Sequence, residues 1–312
     1  MSNTVLNEKL GKRKKRRISR EHWGYYFLIP FALAFLIFGL YPILYVLYLS
    51  FTSYDGWGSP EVIGLANYRR VVVDKVFYRA LGNTLIMWIF AVIPQFALAF
   101  SMAALFSYNR VKYRGFFRAV YYLPRLVTAV SIAALFQQFL GAPFGSLNQI
   151  LMGINVIDSP IRFLADIKIA RGSVSFINWW IFWGNTMIMI MAGMTAISPS
   201  LYEAAKIDGA SSWKIFWRIT FPLLKPVSIF IFINSLLGGL QSFDVQLILS
   251  SAGGTRRGLE TVVMLMQNRA FSVGDIGYAS AIAFYLFLFI AIFSSFALVS
   301  RFRTEKEKKG TN

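Results

Sequence analysis

The 312-residue chain has no cysteine, a single histidine (His22) and few charges, only 15% of its residues. The missing thiols exclude disulfides and thiolate metal sites, and they leave the redox compartment unread. One histidine, in a basic tail where it is solvated or faces headgroups, offers no zinc set. Nucleophile–base pairs and paired carboxylates are lacking too, so no catalytic arrangement built on them is expected. Acidic residues number 14 against 32 Lys and Arg, a formal net charge of +18. Clustered cations of that number suit nucleic acid, but here they flank apolar runs, and no nucleic-acid partner is expected. A phosphate-cradling loop is missing as well. The nearest approach, Gly253 to Gly258, keeps the glycine spacing but has Leu259 where lysine is required. Neither an ATP site nor a cofactor is expected, and the chain is not an enzyme by itself.

What is present is apolar: 56% hydrophobic residues and a mean hydropathy of +0.55. Soluble domains hold about 45–50% apolar residues and about 25% charged ones. The excess lies in runs long enough to cross a bilayer, which takes about 20 residues at 1.5 Å each. Six segments qualify, at about 24–52, 80–107, 119–141, 174–197, 222–250 and 278–300. The chain thus reads as an all-α membrane protein of six spans. The first run is too long for a signal peptide and lacks a small-residue cleavage site, so it is expected to be retained.

Orientation follows from Lys and Arg in the connections. With the N-terminus inside, the segments 1–23, 108–118, 198–225 and 301–312 carry eight, four, four and five of them. The segments 53–79, 142–173 and 251–277 carry four, three and three. That imbalance, 21 against 10, places both termini in the cytoplasm. The domains are then a basic tail over 1–23, a six-span membrane body over 24–300 with a cytoplasmic loop at 198–221, and a tail over 301–312. In the second outer connection, Gly145–Ile157 has the composition of a short helix on the membrane surface.

The loop holds "EAAKIDGASSWKIFWRITFP", Glu203 to Pro222. Leu201–Asp208 predicts two helical turns ended by Gly209, which reaches the left-handed conformation at little cost. Ser211 or Ser212 can cap a second helix carrying Trp213, Ile215, Phe216, Trp217 and Ile219. Lys214 and Arg218, four apart, meet lipid headgroups from one face, and Pro222 starts the next span without needing a donor. Ala204 and Ala205 keep the first helix thin, while Glu203 and Asp208 offer charges to a partner. On these grounds alone the segment either lies on the membrane or docks into a groove.

The same stretch resembles the signature loop of binding-protein-dependent ABC transporter permeases: Glu-Ala-Ala, three residues, Gly, nine residues, Ile, one residue, Leu, Pro. Glu203, Ala204, Ala205, Gly209, Ile219 and Pro222 fit, and Phe221 replaces the Leu. "GLANYRRV" (Gly64–Val71), "ALGNT" (Ala80–Thr84), "RGFFRAVYYLP" (Arg114–Pro124) and "GYASA" (Gly277–Ala281) extend the resemblance over nearly the whole chain. "SFDVQLILSSAGGT" (Ser242–Thr255) departs from it at Thr255, where Pro often follows the paired glycines. The order of motifs and the basic tail are most similar to the first permease of maltose- and glycerol-3-phosphate-type importers. The resemblance implies a type I ABC importer permease fold in a bacterial or archaeal inner membrane. It also implies four kinds of partner: a second permease forming a heterodimer, two copies of a cytoplasmic ABC ATPase, an extracytoplasmic solute-binding protein, and a saccharide or related polyol as substrate. Glu203, Ala204, Ala205, Asp208 and Gly209 would couple to the ATPase. A self-sufficient secondary transporter is the alternative, although no proton- or sodium-site cluster is visible.

Polar side chains within spans are costly and commonly face a bundle interior or a wet path. Asn178 and Asn185 share a face of the fourth span, with Trp183 nearby. Asn234, Gly238 and Gln241 share one of the fifth, with Asp244 a little further round. Amides, a carboxylate and aromatic rings suit sugar hydroxyls and ring faces. In the family resembled, the path runs between the spans that flank the loop, where Asn178, Trp183, Asn185, Asn234, Gln241 and Asp244 lie. The competing reading is that the amides only hydrogen-bond neighbouring helices and that Asp244 is hydrated near the outer surface. Arg125, next to Pro124, is expected to snorkel to the inner interface rather than form a gating ion pair.

Overall fold

The structure, a computed structural model, describes residues 20–108, 111–251 and 254–309, with side chains over 26–107, 111–251 and 254–296. The basic run Lys12–Arg17 and the side chain of His22 lie outside what is described. The chain falls into two compact units divided between Tyr48 and Leu49. The first unit is helical: α1 (Arg20–Phe35) passes through a π-turn at Leu36–Leu40 into α2 (Tyr41–Ser50). Tyr41, Tyr45 and Tyr48 stack along α2 with ring centroids 6.1 and 6.4 Å apart.

The second unit opens with a two-stranded antiparallel hairpin, β1 (Thr52–Ser53) and β2 (Glu61–Val62), with Thr52 opposite Val62. After α3 (Ala66–Val73) comes the long helix α4 (Lys75–Tyr108), then α5 (Arg114–Leu126), α6 (Ala129–Leu140) and the short α7 (Ser146–Gly153). A second long helix follows, α8 (Ile167–Thr195). The loop region comprises α9 (Pro199–Ile207), α10 (Ser212–Ile215), a π-turn at Phe216–Thr220 and α11 (Phe221–Leu223). The chain ends in α12 (Lys225–Leu240), α13 (Asp244–Ser251), α14 (Arg256–Leu259), α15 (Val262–Gln267) and α16 (Ile276–Lys309).

Five helical segments among the described residues are long and apolar enough to cross a membrane: Tyr26–Ser50, Lys75–Ser107, Ile167–Thr195, Lys225–Ser251 and Ile276–Phe296. Counting α5 and α6 as one broken span makes six, and the two meet at 90°. The sequence predicts an unbroken third span; the chain instead turns at Val127–Thr128. Thr128 makes the turn cheap, because its hydroxyl accepts from the Ser131 N–H and caps α6. Helix α8 starts earlier than hydropathy suggests for the same reason. Asp166 accepts from the N–H groups of Lys168 and Ile169 at 2.8 and 3.0 Å, so the helix starts there, ahead of its apolar run.

Helices α4 and α8 form the spine and run parallel. Successive contacts show this: the Arg171 guanidinium to Asn83 Oδ1, Ser175 Oγ to Met87 O at 3.1 Å, and Gln95 Nε2 to Thr186 Oγ1 at 2.7 Å. Because α8 begins at the end where α4 begins, residues 109–166 must return across the bundle between them. In lipid, apolar side chains gain little by association, so close approach and interhelical hydrogen bonds carry the packing. At about 0.6 kcal/mol each, those three bonds contribute about 2 kcal/mol. Close approach is visible at Gly184, where an added Cβ would strike the Tyr121 carbonyl of α5, and at Gly239, where it would strike the Trp88 ring. A polar lock holds α14 against the beginnings of α4 and α8. Asn83 donates to Arg257 O and Glu260 O at 3.1 and 2.9 Å, and Arg79 pairs with Glu260 at 3.2 Å.

Candidate functional site

Two breaks between successive helices, α5–α6 and α12–α13, face one cavity of about 520 Å³. The first break is Val127–Thr128. The second runs from Gln241 to Phe243, where α12 stops and α13 begins at Asp244. Broken helices at membrane depth are tolerated where protein or water satisfies the freed backbone groups. At the second break the Thr261 hydroxyl donates to Ser242 O at 2.9 Å, and Gln246 Nε2 donates to Ser242 Oγ at 3.1 Å. The break is thus fixed from α13 and from the start of α15, leaving Gln241 and Asp244 exposed at the cavity.

Asn178, Asn185, Asn234, Gln241 and Asp244 all line this cavity, from three helices and a break. Trp183 is not brought to it. Its ring is 8% exposed, lies 4.8 Å from the Tyr121 ring and packs with Met187 and Ile190. On α8, Trp183 is separated from Phe182 by a helical step of about 100°, enough to turn it from cavity to core. Sequence proximity did not show which side it would take.

The cavity amides divide into tied and available groups. Gln95 is spent on Thr186 and Gln246 on Ser242, and both side chains are buried. Asn234 gives one N–H to Phe230 O at 2.9 Å, and Asn185 has only the Met189 sulfur at 3.7 Å. Among the described residues the side chains of Asn178 and Gln241 make no hydrogen bond, yet both border the cavity. Asn178 is half-buried and Gln241 exposed, so both are open to hydrogen bonds from water or a solute.

Arg125, expected at the inner interface, also lines the cavity. Its guanidinium sits 4.8 Å over the Phe182 ring, beside the midpoint of the 29-residue α8. Arg125 stands two residues before the turn at Val127–Thr128, and its side chain is exposed at the cavity. Trp88, Gln95 and Gln246 are further cavity residues that sequence reasoning passed over. Gln95 is the one polar side chain of the apolar run from Leu85 to Phe100 apart from the Trp88 indole, and that was the available signal.

The loop is built by local rules. Helix α9 begins with Pro199 and ends at Gly209, whose φ is +73°. Gly209 N–H bonds Lys206 O at 3.1 Å and Ala210 N–H bonds Ala205 O at 2.9 Å, closing a left-handed C-terminal cap. The Ser211 hydroxyl then accepts from the Lys214 N–H at 3.4 Å. Glu203, Ala204, Asp208 and Gly209 are exposed and Ala205 is half-buried. Ile207 is 86% exposed, an apolar side chain with no place in its own chain. Beneath α9, Thr220 Oγ1 donates to the Tyr202 phenol oxygen (Oη) at 3.3 Å, tying the helix to the following turn.

Residues 58–306 match the family described as "binding-protein-dependent transport system inner membrane component". The lactose transport system permease protein LacF of Rhizobium radiobacter is 34% identical over 274 residues, covering 87% of this chain and 91% of that protein. The trehalose/maltose transport system permease protein MalF of Thermococcus litoralis is 31% identical over 285 residues, covering 90% and 95%. A chain in the crystal structure of a bacterial ABC transporter involved in the import of the acidic polysaccharide alginate superposes with a TM-score of 0.80 at 24% identity, over 92% of this chain and 97% of that one. At that identity the likeness establishes the fold.

Proposed function

The chain belongs to the family of binding-protein-dependent transport system inner membrane components, and from that premise we propose that it is the saccharide-translocating permease subunit of an ABC importer. It is a multi-pass transport component of the inner membrane, not an enzyme. The sugar assignment is carried by the cavity: exposed amides, a carboxylate and a guanidinium lie between two broken spans, beside the rings of Trp88 and Phe182. Relatives named for lactose and for trehalose/maltose transport support it.

In this proposal the chain crosses the membrane six times, with α5 and α6 as one broken span and both termini cytoplasmic. The parallel run of α4 and α8 supports the count, and the Lys and Arg distribution supports the orientation. Loop 198–221 then faces the cytoplasm, between a tail over 1–23 and another over 301–312. Glu203, Ala204, Ala205, Asp208 and Gly209 form the docking unit for a separate ATPase present in two copies. The capped helix–Gly–helix hinge and exposed Ile207 suit docking better than lying flat on lipid. A second permease completes the path as a heterodimer, and a solute-binding protein delivers the sugar from outside. Asn178, Asn185, Asn234, Gln241 and Asp244 line the path, whose access alternates as paired spans move around a central site. Trp183 supports it from behind.

Reconstitution tests the assignment. Vesicles holding this chain with the second permease, the ATPase and the binding protein are expected to accumulate sugar only with ATP. Uptake by this chain alone, without an ATPase, would establish a secondary transporter instead.

A further inference from the structure

Arg125 borders the cavity beside the middle of α8, with its side chain exposed there. Its guanidinium face rests on Phe182 at 4.8 Å. A cation over a ring uses the face of the guanidinium and leaves its in-plane N–H donors available. Among the described residues Arg125 makes neither an ion pair nor a hydrogen bond. Asp244, at the other break, makes no ion pair either; the pairs present are Arg70–Asp275, Arg79–Glu260 and Arg256–Glu260. Among the described residues, Arg125 and Asp244 are the only ionisable side chains in the cavity lining. Their charges cancel in sum but not in contact, since they stand beyond ion-pair distance of each other.

We infer that Arg125 is a substrate-contacting specificity residue which, with Asp244, fits the cavity to an uncharged, hydroxyl-rich saccharide and against one bearing carboxylates, an inference that rests on the saccharide reading above. The guanidinium fork donates to a pair of adjacent hydroxyls, and the carboxylate accepts from another pair. A neutral sugar therefore satisfies both poles at once, while Asn178 and Gln241 bond the hydroxyls between them. A uronate satisfies Arg125 but sets its own charge in the same cavity as the Asp244 carboxylate, and like charges repel. An amino sugar meets the mirror-image difficulty at Arg125. Each pole at a helix break is also placed to move when the spans rearrange, so recognition and release share the same two residues.

The test uses the complete transporter, isolated through this chain in lipid nanodiscs without the binding protein, so that the cavity alone reads the sugar. Equilibrium binding is measured for lactose, maltotriose and arabinotriose as neutral probes and a mannuronate trisaccharide as the anionic probe. The wild-type complex is expected to bind at least one neutral probe more tightly than the uronate. Arg125→Gln should weaken that neutral probe by about tenfold, the loss expected for a charge-assisted hydrogen bond. Arg125→Lys, which keeps the charge but loses the fork, should recover part of it. Asp244→Asn should shift the neutral-to-uronate ratio towards the uronate by about tenfold. The amount of assembled complex and its basal ATP hydrolysis control for folding. Unchanged neutral affinity in Arg125→Gln, or an unchanged ratio in Asp244→Asn, overturns the inference while leaving the saccharide reading intact. If ATP-driven uptake of every saccharide is absent from the complete wild-type system, the saccharide reading itself is wrong and the inference falls with it.

Discussion

The loop 198–222 and the mid-span cavity differ in how far their parts are spread along the chain. Every determinant of the loop lies within about two dozen residues: a proline to start, a left-handed glycine to turn and a serine to cap. The cavity draws on α4, α5, α6, α8, α12 and α13, and its shape depends on where two spans break. Local grammar governs the first and packing the second. A single substitution therefore disables the loop outright, whereas the cavity responds in steps that report which contact was removed.

The largest effect is expected at Gly209. Gly209→Pro forbids the +73° φ and removes the N–H that bonds Lys206 O, so the two short helices lose their relative aim. ATP-driven uptake should fall to background while sugar binding to the isolated complex stays intact. Normal uptake in that variant would show that the hinge is not a docking element and would erase the contrast between the regions.

Gly184→Val comes next. A Cβ there meets the Tyr121 carbonyl, and forcing extra methyl groups into a packed crossing costs about 1–3 kcal/mol. The melting temperature of the complex should drop, and because α5 carries Arg125, sugar affinity should drop with it. A variant that loses stability yet keeps full affinity would show that the α5–α8 crossing does not position the cavity.

Smaller and more diagnostic changes separate the tied amides from the available ones. Asp244→Asn should raise the half-saturating sugar concentration about tenfold, and Gln241→Ala less than that, both at normal membrane levels. Gln95→Leu should do the reverse, costing about 1 kcal/mol of stability through the lost Thr186 bond with little change in affinity. If Gln95→Leu and Gln241→Ala behaved alike, the division of the cavity into structural and solute-facing groups would be void.

The orientation itself can be read without disturbing either region, because the chain has no native cysteine. Ser212→Cys should resist an impermeant thiol reagent in intact cells and Ser159→Cys should react, with transport unchanged in both. Inverted labelling would put the loop outside and remove its ATPase.

What could be read from sequence follows the same divide. The glycine hinge and the serine cap were legible, because left-handed φ and N-terminal capping are decided by the residue at the position. The amide faces of α8 and α12 were legible from helical spacing. The 90° turn at Val127–Thr128 was not: Pro124 marked an irregularity, but a capped break and a kinked span have the same local composition. That break sets where α5 ends, and so where Arg125 meets the cavity, which local composition does not show. Trp183 was misplaced by one helical step, a distinction that only the packing of α5 against Gly184 decides. Which amides are tied was equally hidden, since Gln95 finds Thr186 across a separation of 91 residues.

The separation of coupling from recognition is tested most directly in one set of proteoliposomes, measuring sugar taken up against sugar concentration and ATP hydrolysed per sugar, for wild type, Gly209→Pro and Asp244→Asn. Asp244→Asn is expected to shift the concentration dependence about tenfold with ATP per sugar unchanged, and Gly209→Pro to hydrolyse ATP without uptake at any concentration. A Gly209→Pro complex that is rescued by raising the sugar concentration, or an Asp244→Asn complex that hydrolyses more ATP per sugar at unchanged half-saturation, would contradict it.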